Sequence, residues 1–578
     1  MPTGIDTYRP PIMGVSHMVS CGHPLAAAAG FRILEEGGNA IDAGVASGIA
    51  INVTLPTATN FGGVAPIILY HAASDEVVTI SGLGRFPAAA TIEYFDKNHG
   101  GDLPEGILRS VVSSAPDAWM TALERYGTMT FEQVVAPAME LADKGYAVSP
   151  RLAGALEDTR GQWGKWPTSS AVLAPEGRAY QAGDIFYQKD LARSFQRLAE
   201  VERNNASKGR EGAIRAARDY FYKGEMAQEM AAFCQEQGGL MTVEDIAGFS
   251  VGVEKPQSGE YGDYTVYTCG PWCQGPVLAE TLQIMAGDDL QALGHNSADY
   301  LHLLNQALTL SYSDRHHYYG DPDMVDVPME GLLSREYARD RRAKIDMGRA
   351  FPEMPAPGHP WEYQGPTSAR PTAEPEPVFT TEQEQDTSYT CVVDRWGNAF
   401  SATPSDGFTG SPMVPGMGFP ISHRGTQIWL DRDHPSGLQP GKRPRLTPNP
   451  ALAFKDGKPF LAFGAPGGDA QCQAMAQTFL NIVEFGMDPQ AAIEAPRMTG
   501  WNFPNSFWPH TYLPARLTVE GRISPEVVDE LRRRGHDMEI IEEWAPGMGS
   551  PCAIQLNQDS GVISAGADPR RDSYAIGR

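Results

Sequence analysis

The segment Asp386-Thr387-Ser388-Tyr389-Thr390-Cys391-Val392-Val393-Asp394 decides the fold. Residues 390–393 are apolar and rich in β-branched side chains, which predicts a buried strand, and residues 395–398 form a turn into a second strand. A threonine at the head of such a strand, after flexible chain, is typical of an enzyme that cuts itself. Cleavage before Thr387 would create a free α-amine, which titrates near about 8 and activates the threonine's own hydroxyl. On this segment alone, a polar strand start is the simpler interpretation.

The composition excludes several classes of partner. With 578 residues, 42% of them hydrophobic and 9% aromatic, the chain can bury a large core. This length predicts several domains, unless one large domain is assembled from distant segments. The formal charge of −25 argues against nucleic acid or an anionic membrane as partner. An anionic substrate must therefore be bound by a local arginine.

The sequence indicates a cytoplasmic protein with reduced thiols. Residues 1–16 contain no apolar run of signal-peptide length, and the most apolar segment, residues 40–55, is too short for a membrane span. The seven cysteines are scattered, and the single C-x3-C pair of Cys269 and Cys273 is a poor metal or redox signal. We therefore expect buried free thiols, no metal and no cofactor.

The chain before the junction begins with two helices and a strand pair and becomes mostly helical from Pro116 to about Ala350. The first two helices are predicted at 23–36 and 40–53, and the strands at 65–71 and 76–81. Later helices are predicted at 130–144, 190–204, 212–237 and 297–317. Arg85 follows the strand pair between flexible residues, where it is either a carboxylate clamp or a solvated surface arginine.

A proline-rich tract at about 351–386 separates the two parts of the chain. Its eight prolines, with many Glu, Thr and Gln residues, predict an exposed linker that can move away once cut. Cleavage would give a large fragment, 1–386, and a small fragment, 387–578. We expect both fragments to form one domain.

The chain after Thr387 is predicted to be mainly strands. They are placed at 399–403, 451–454 and 459–464, with two more after a last helix that runs from Ser524 to near Gly535. A further helix is predicted from about 470 to 484. The N–H groups of Gly467 and Gly468 at its start form an anion-binding nest, which is a candidate oxyanion hole. A turn alone explains the same glycines.

Seven motifs, taken together and in order, make nearly the whole chain resemble one family. They are His23–Ala26, Gly37–Ala43, Asp386–Ser388, Val393–Ala399, Pro440–Pro444, Pro466–Gly468 and Gly566–Asp572. The chain resembles the gamma-glutamyltransferase family of N-terminal-nucleophile hydrolases. The resemblance implies an α+β fold of four layers, αββα.

The resemblance also implies the catalytic residues. It places the self-cleavage between Asp386 and Thr387 and makes Thr387 the nucleophile of both self-cleavage and turnover. The second hydroxyl, which bonds to the nucleophile, falls on Ser405, and the oxyanion hole falls on Gly467 and Gly468. An acyl-threonine intermediate would then pass its acyl group to water or to an amine.

The residues for substrate recognition depart from the family's pattern. Leu83 stands where glutathione-cleaving members have a carboxylate-binding arginine, although Arg85 lies two residues on, on the same face of an extended strand. Gln427 replaces the acidic partner of the α-ammonium, and Gly407 replaces an asparagine. Thr447 falls in the place of one of two serines. The further candidates for substrate binding are Thr403 and Arg424, the latter in a Ser422–Gly425 motif that resembles a divergent branch of amide hydrolases such as oxamate amidohydrolase.

Three functions remain open from the sequence. The first is an autoprocessed amide hydrolase acting on a small carboxylate-bearing or gamma-glutamyl-like amide. The second is a true gamma-glutamyltransferase or glutathione hydrolase with a rebuilt site. The third is an uncleaved homologue that only binds a ligand. The two fragments of one precursor are expected to stay together, and a homodimer of them is left open.

Overall fold

The computed structural model describes residues 7–364 and 386–578. The strands are β1 (Ile12–Gly14), β2 (Met18–Cys21), β3 (Ile67–His71), β4 (Glu76–Ile80), β5 (Tyr146–Ala147), β6 (Ile185–Phe186), β7 (Val253–Glu254), β8 (Gln257–Tyr261), β9 (Tyr264–Thr268), β10 (Thr390–Val393), β11 (Ala399–Ala402), β12 (Ala451–Lys455), β13 (Lys458–Gly464), β14 (Met498–Gly500), β15 (Arg516–Glu520), β16 (Asp537–Ile541), β17 (Cys552–Leu556), β18 (Ile563–Ala567) and β19 (Tyr574–Gly577).

The helices lie mostly before the junction. They are α1 (Pro24–Glu35), α2 (Ala40–Thr54), α3 (Ile92–His99), α4 (Ala115–Tyr126), α5 (Phe131–Lys144), α6 (Pro150–Asp158), α7 (Arg160–Trp163), α8 (Pro167–Leu173), α9 (Lys189–Asn204), α10 (Gly209–Lys223), α11 (Glu225–Glu236), α12 (Val243–Ala247), α13 (Gly275–Met285), α14 (Leu290–Leu293), α15 (Ala298–Tyr318), α16 (Met329–Leu332), α17 (Arg335–Arg342), α18 (Ala470–Val483), α19 (Pro489–Glu494) and α20 (Pro525–Arg533). Among the described residues, no helix is both long and apolar enough to cross a membrane.

Two seven-stranded sheets form the centre of the molecule. Sheet 1 has the order β19-β2-β10-β11-β3-β4-β7, and sheet 2 has the order β1-β18-β17-β13-β12-β9-β8. The predicted strand at residues 390–393 is β10, which lies inside sheet 1 between β2 and β11. Each sheet combines strands from both sides of the junction, so the two predicted fragments share one fold.

The side chains of β10 show how the layers are stacked. Val392 belongs to the core between sheet 1 and α1, α2, α4 and α5, whereas Cys391 and Val393 belong to the core between the two sheets. A third core joins sheet 2 to α13, α15 and α18. This alternation follows from the two-residue period of a strand. The predicted four-layer αββα arrangement is confirmed.

The small-residue helix α2 is buried along its whole length, as its alanines and glycines predict. A Cβ atom on Gly44 would lie 2.1 Å from the Phe400 ring, and one on Gly48 would lie 2.5 Å from the Trp119 ring. The helix therefore approaches sheet 1 and α4 more closely than larger residues allow. Asn39 caps its start by accepting hydrogen bonds from the N–H groups of residues 41 and 42.

Two predictions about the elements are wrong in detail. Four strands, β16 to β19, follow the last helix instead of two, and the helix predicted at 212–237 is split at Gly224 into α10 and α11. The middle of the chain is mostly helical, as predicted, and its strands β8 and β9 form one edge of sheet 2. The seven cysteines are buried and free, as predicted.

The start of the proline-rich tract packs on the protein, in contrast to the predicted exposed linker. The carbonyl of Pro355 accepts a hydrogen bond from Ser313 at 2.6 Å, and the Gly358 N–H donates to Asp314 at 2.9 Å. These bonds fix residues near 355–358 against α15. The rest of the predicted linker, residues 365–385, lies outside the described residues.

Candidate active site

Thr387 lies three residues before β10 and is buried. The N–H of Ser388 donates to the carbonyl of Pro404 at 2.9 Å, so the segment before β10 runs beside the chain that follows β11. The chain is continuous from Asp386 to Thr387, and the Thr387 hydroxyl is hydrogen-bonded to the Asp386 carbonyl oxygen. The hydroxyl therefore lies at the carbonyl of the peptide bond that is predicted to be cut.

Ser405 forms a hydroxyl pair with Thr387. The Ser405 Oγ lies 2.8 Å from the Thr387 Oγ1 and 2.9 Å from the Asp386 carbonyl oxygen. Its backbone is fixed because its N–H donates to the Val64 carbonyl at 3.0 Å. Since each hydroxyl carries one proton, one of the pair donates to the carbonyl while the other donates to its neighbour.

Arg424 is fully buried beside this pair, in the 3-10 helix Arg424–Gln427. Its Nη2 contacts the Ser405 hydroxyl and the Asp386 carboxylate, and it lies 3.3 Å from the Asp386 carbonyl oxygen. The second carboxylate oxygen of Asp386 accepts a hydrogen bond from the Gly407 N–H at 2.8 Å. Both carboxylate oxygens of Asp386 are therefore bound.

Asp406 and His423 continue this polar network. The His423 Nδ1 faces Asp406 Oδ1, and its Nε2 lies 3.9 Å from the Asp386 carboxylate. Burial raises the pKa of Asp406, but His423, Arg424 and the Ser422 hydroxyl together hold this pKa below its ordinary value. One ligand atom each from Asp386, Asp406 and His423 lies within 4.8 Å of the others. Because the Arg424 guanidinium already neutralises Asp386, we interpret the group as an ion-pair network.

Gly467 and Gly468 lie between β13 and α18. Their φ angles of 125° and 57° are in the region that favours glycine. Their carbonyls accept hydrogen bonds from the N–H groups of Ala470 and Gln471, whereas their own N–H groups donate to no other described residue. Pro466, directly before them, shares a cavity wall with Thr387. The two N–H groups thus have no acceptor among the described residues, and the residue before them borders the cavity at Thr387.

Arg85 binds carboxylates of the protein itself. Its Nη2 donates to Asp323 at 2.6 Å, and its Nη1 donates to Asp321 at 3.4 Å and to the Gly441 carbonyl at 3.1 Å. Within the described residues, no hydrogen bond or ion pair joins Arg85 to the Thr387–Ser405 pair. These contacts do not support Arg85 as the carboxylate clamp, whereas the geometry leaves that role open to Arg424.

Gln427 and Thr447 bind each other. The Gln427 Nε2 donates to the Thr447 hydroxyl at 3.0 Å, and the Thr447 N–H donates to the Gln427 Oε1 at 3.1 Å. The hydroxyl of Thr403 is buried and has no hydrogen-bond partner among the described residues. The substrate-binding roles of these three residues stay predictions.

A cavity of about 310 Å³ opens at Thr387 and contains two arginines that the sequence did not single out as site residues, Arg151 and Arg571. The Arg571 Nη1 donates to the Thr387 carbonyl at 3.2 Å, and Arg571 forms no ion pair with any described carboxylate. Arg151 lies 3.5 Å from Asp572. Burial and the charge of Arg151 lower the pKa of Arg571 to about 10, so the guanidinium stays charged at neutral pH. A larger cavity of about 510 Å³ has Asp323 and Lys442 on its wall, far along the chain from Thr387.

Comparisons with known proteins identify the family of the chain. The gamma-glutamyltranspeptidase family matches residues 26–578. The chain belongs to this family. The glutathione hydrolase proenzyme of Bacillus subtilis (strain 168) is 31% identical over 585 residues, which cover 100% of this chain and 94% of the relative.

Two solved structures are similar over their whole length. The structure described as LmbA2991HD has a TM-score of 0.92 and 36% identity, and the match covers 99% of this chain and 100% of that one. The cephalosporin acylase from Bacillus halodurans has a TM-score of 0.85 and 29% identity, with 100% and 99% covered. The predicted family, the N-terminal-nucleophile fold and the amidohydrolase class are therefore confirmed.

The relative named a proenzyme supports a precursor that gives two fragments. The fragment boundaries, the individual site residues, the homodimer and the cytoplasmic location stay predictions.

Proposed function

We propose that the protein is an autoprocessed amide hydrolase in which Thr387 is the nucleophile and the Asp386–Thr387 bond is the site of self-cleavage. The observation that carries this proposal is the hydroxyl pair of Thr387 and Ser405 at the carbonyl of Asp386. Nucleophile, scissile carbonyl and a polarising hydroxyl lie within hydrogen-bond distance of one another. This is the geometry that nucleophilic catalysis requires.

Self-cleavage begins with attack of the Thr387 Oγ1 on the carbonyl carbon of Asp386. The C–O bond forms first, the hydroxyl proton passes to the Thr387 nitrogen, and the C–N bond then breaks, which gives an ester and frees the α-amine of Thr387. During the attack, negative charge develops on the Asp386 carbonyl oxygen. Ser405 Oγ and Arg424 Nη2 lie 2.9 and 3.3 Å from that oxygen and stabilise the charge. Water then hydrolyses the ester.

Turnover uses the same hydroxyl with a different base. The free α-amine of Thr387 titrates near about 8, so a useful fraction accepts the hydroxyl proton at neutral pH. The N–H groups of Gly467 and Gly468 are available to the oxyanion because they donate to no other described residue. The acyl-threonine is then hydrolysed by water, and the amine is released.

A carboxylate-bearing acyl group without an α-ammonium fits the site better than a gamma-glutamyl group. Gln427 carries no negative charge to pair with an incoming ammonium, and its amide already binds Thr447 at both ends. An ammonium buried without a counter-ion is costly. Arg424, by contrast, binds a carboxylate in the single chain.

Mass spectrometry of the purified protein and an amide assay test the proposal together. We expect two fragments, 1–386 and 387–578, and hydrolysis of acidic anilides without need for an amine acceptor. A single full-length chain without amidase activity would favour the ligand-binding homologue. Turnover that depends on glycylglycine with γ-glutamyl-4-nitroanilide would favour the transferase.

A further inference from the structure

The side chain of Asp386 fills a small polar subsite beside the scissile bond, and only 12% of it is exposed. One carboxylate oxygen contacts Arg424 Nη2, and the other accepts from the Gly407 N–H at 2.8 Å and lies 3.9 Å from His423 Nε2. We call Arg424, Gly407 and His423 the carboxylate receptor. All three residues belong to the predicted small fragment, whereas Asp386 ends the large one.

Self-cleavage changes the connection between Asp386 and this receptor. Before cleavage, the peptide bond to Thr387 holds Asp386 in place, and afterwards Asp386 is the end of a separate fragment. The receptor stays in the small fragment, with its backbone fixed next to Ser405. Arg424 is fully buried, so its charge is costly if the Asp386 carboxylate moves away. Binding of another carboxylate to Arg424 is then favourable.

We propose that the carboxylate receptor binds the carboxylate of the substrate's acyl group in the cleaved enzyme, and that Asp386 occupies this place in the single chain. The inference rests on the proposed function, because it takes the Asp386 carbonyl as the equivalent of the substrate's acyl carbonyl. Both reactions pass through an ester on the same Thr387 Oγ1, so in these two esters the acyl groups extend from the same atom.

The covalent structure of aspartate then sets the length of the substrate. Two carbons, Cα and Cβ, separate the carbonyl carbon of Asp386 from its carboxylate carbon. A succinyl group has the same spacing, a malonyl group has one carbon fewer, and glutaryl and γ-glutamyl groups have one more. The substrates are therefore monoamides of four-carbon dicarboxylic acids, of the succinamate type.

The close approach of the chain at Gly407 supports a fixed receptor. A Cβ atom at this position would lie 2.3 Å from the carbonyl oxygen of Thr57, so a side chain would displace the backbone. Glycine allows the N–H to reach the carboxylate of Asp386. Where the family has an asparagine, this chain has a glycine whose backbone N–H donates to a carboxylate.

The reaction needs only the amide and water. The Thr387 Oγ1 bonds to the acyl carbon, the C–N bond breaks, and the leaving amine takes the proton that the α-amine received from the hydroxyl. Water then adds to the acyl carbon, the bond to Oγ1 breaks, and the hydroxyl regains a proton. The products are a dicarboxylate and an amine.

A chain-length series on the fully cleaved enzyme tests the length. The 4-nitroanilides of oxalic, malonic, succinic and glutaric acid are compared by kcat/KM, with butyryl-4-nitroanilide as the matched control that has a methyl group in place of the carboxylate. We expect kcat/KM for the succinyl compound to be about a hundredfold higher than for the butyryl compound. It should be about tenfold higher than for the malonyl and glutaryl compounds. A different best length, or equal succinyl and butyryl rates, would overturn the inference.

A binding measurement tests the receptor without turnover. Calorimetry should show succinate, but not butyrate, binding to the cleaved enzyme at least tenfold more tightly than to the uncleaved Thr387→Ala protein, in which Asp386 fills the receptor. Removing that side chain in a Asp386→Ala, Thr387→Ala double variant should restore binding. If succinate binds Thr387→Ala as tightly as it binds the cleaved enzyme, the inference is wrong. The comparison of the cleaved enzyme with Thr387→Ala tests the inference even if the double variant does not fold.

The two measurements separate this inference from the proposed function. If the cleaved enzyme hydrolyses γ-glutamyl or neutral amides best and does not bind succinate, the inference is contradicted. The proposed amidase activity is then still supported. If the enzyme binds succinate but cleaves no amide, the proposed amidase activity is contradicted, while the carboxylate receptor is still supported.

Discussion

Two arginines bind the two residues that flank the Asp386–Thr387 bond, and they differ in what surrounds them. Arg424 is fully buried and bound to the carboxylate of Asp386, whereas Arg571 faces an open cavity and has no ion-pair partner among the described residues. Self-cleavage can therefore release the carboxylate bound to Arg424, whereas the hydrogen bond from Arg571 to the Thr387 carbonyl lies within the predicted small fragment. The difference suggests that one side selects the acyl group only after maturation, while the other is open to the leaving group from the start.

The largest expected effect comes from removing the hydroxyl that both sides share. Thr387→Ala should leave one full-length chain on a denaturing gel and lower amidase activity at least about a thousandfold, since nucleophile and cleavage site are lost together. Thr387→Ser is the matched control, because it keeps the hydroxyl and should still be cut. Two fragments from Thr387→Ala would show that another residue is the nucleophile.

The role of Arg424 is tested by the ratio of kcat/KM for two substrates. Arg424→Ala should cost about 2–5 kcal/mol of transition-state binding for succinyl-4-nitroanilide relative to the butyryl compound, the usual penalty for truncating a buried charge pair. Because Arg424 also contacts Ser405, both rates should fall, and only their ratio reports the carboxylate. The ratio is measured on the cleaved fraction, with Arg424→Lys as the variant that keeps the charge. An unchanged ratio would remove Arg424 from acyl recognition.

Ser405 separates self-cleavage from turnover. Its hydroxyl lies 2.9 Å from the carbonyl oxygen of Asp386, which carries the developing charge only in self-cleavage. Ser405→Ala should therefore slow maturation about a hundredfold, within the range for loss of an oxyanion donor. Turnover should fall only about tenfold, because Gly467 and Gly468 hold its oxyanion. Pulse-labelled maturation and steady-state kinetics measure the two rates, and Ser405→Thr is the control. Normal rates of both would exclude Ser405 from the mechanism.

Substitution of Arg571, in the cavity at Thr387, should affect the choice of leaving group rather than of acyl group. We expect Arg571→Gln to lower kcat/KM about tenfold for the succinyl amide of 4-aminobenzoate, whose leaving group carries a carboxylate, and much less for succinyl anilide. Arg151→Gln is the matched control, since Arg151 is already close to Asp572. Equal losses for both substrates with Arg571→Gln would assign that residue to positioning Thr387, whose carbonyl it binds.

The sequence predicted the parts of this site that depend on local pattern. The strand at residues 390–393 and the glycine pair before α18 both follow from β-branched and turn residues within a few positions. Ser405 could be placed only through the resemblance, because its distance from Thr387 results from the pairing of β10 with β11. Local pattern thus made Thr387 a candidate nucleophile, and the pairing of β10 with β11 brings Ser405 close to it.

The charged groups were harder to predict because their partners are distant in sequence. Arg85 looked exposed and available, but a segment more than two hundred residues later supplies the carboxylates of Asp321 and Asp323. Arg571 lies in the last motif of the chain, and nothing near it in sequence shows that it bonds to Thr387. Likewise, the order of strands in sheet 2, which brings β8 and β9 to its edge, depends on contacts across the whole chain.

The smallest expected effect is that of Arg85→Ala, and it tests whether Arg424 alone serves the acyl group. Arg85 is 33% exposed, and its partner Asp321 keeps hydrogen bonds from Arg443 Nε at 2.9 Å and Nη2 at 2.7 Å when Arg85 is removed. Asp323 is mostly solvated, so the variant should lose about 1 kcal/mol of unfolding free energy or less in urea. Its ratio of succinyl to butyryl turnover should stay within about twofold of the parent, because no hydrogen bond or ion pair joins Arg85 to Thr387 or Ser405 among the described residues. A drop as large as that of Arg424→Ala would mean that the substrate carboxylate is bound at Arg85.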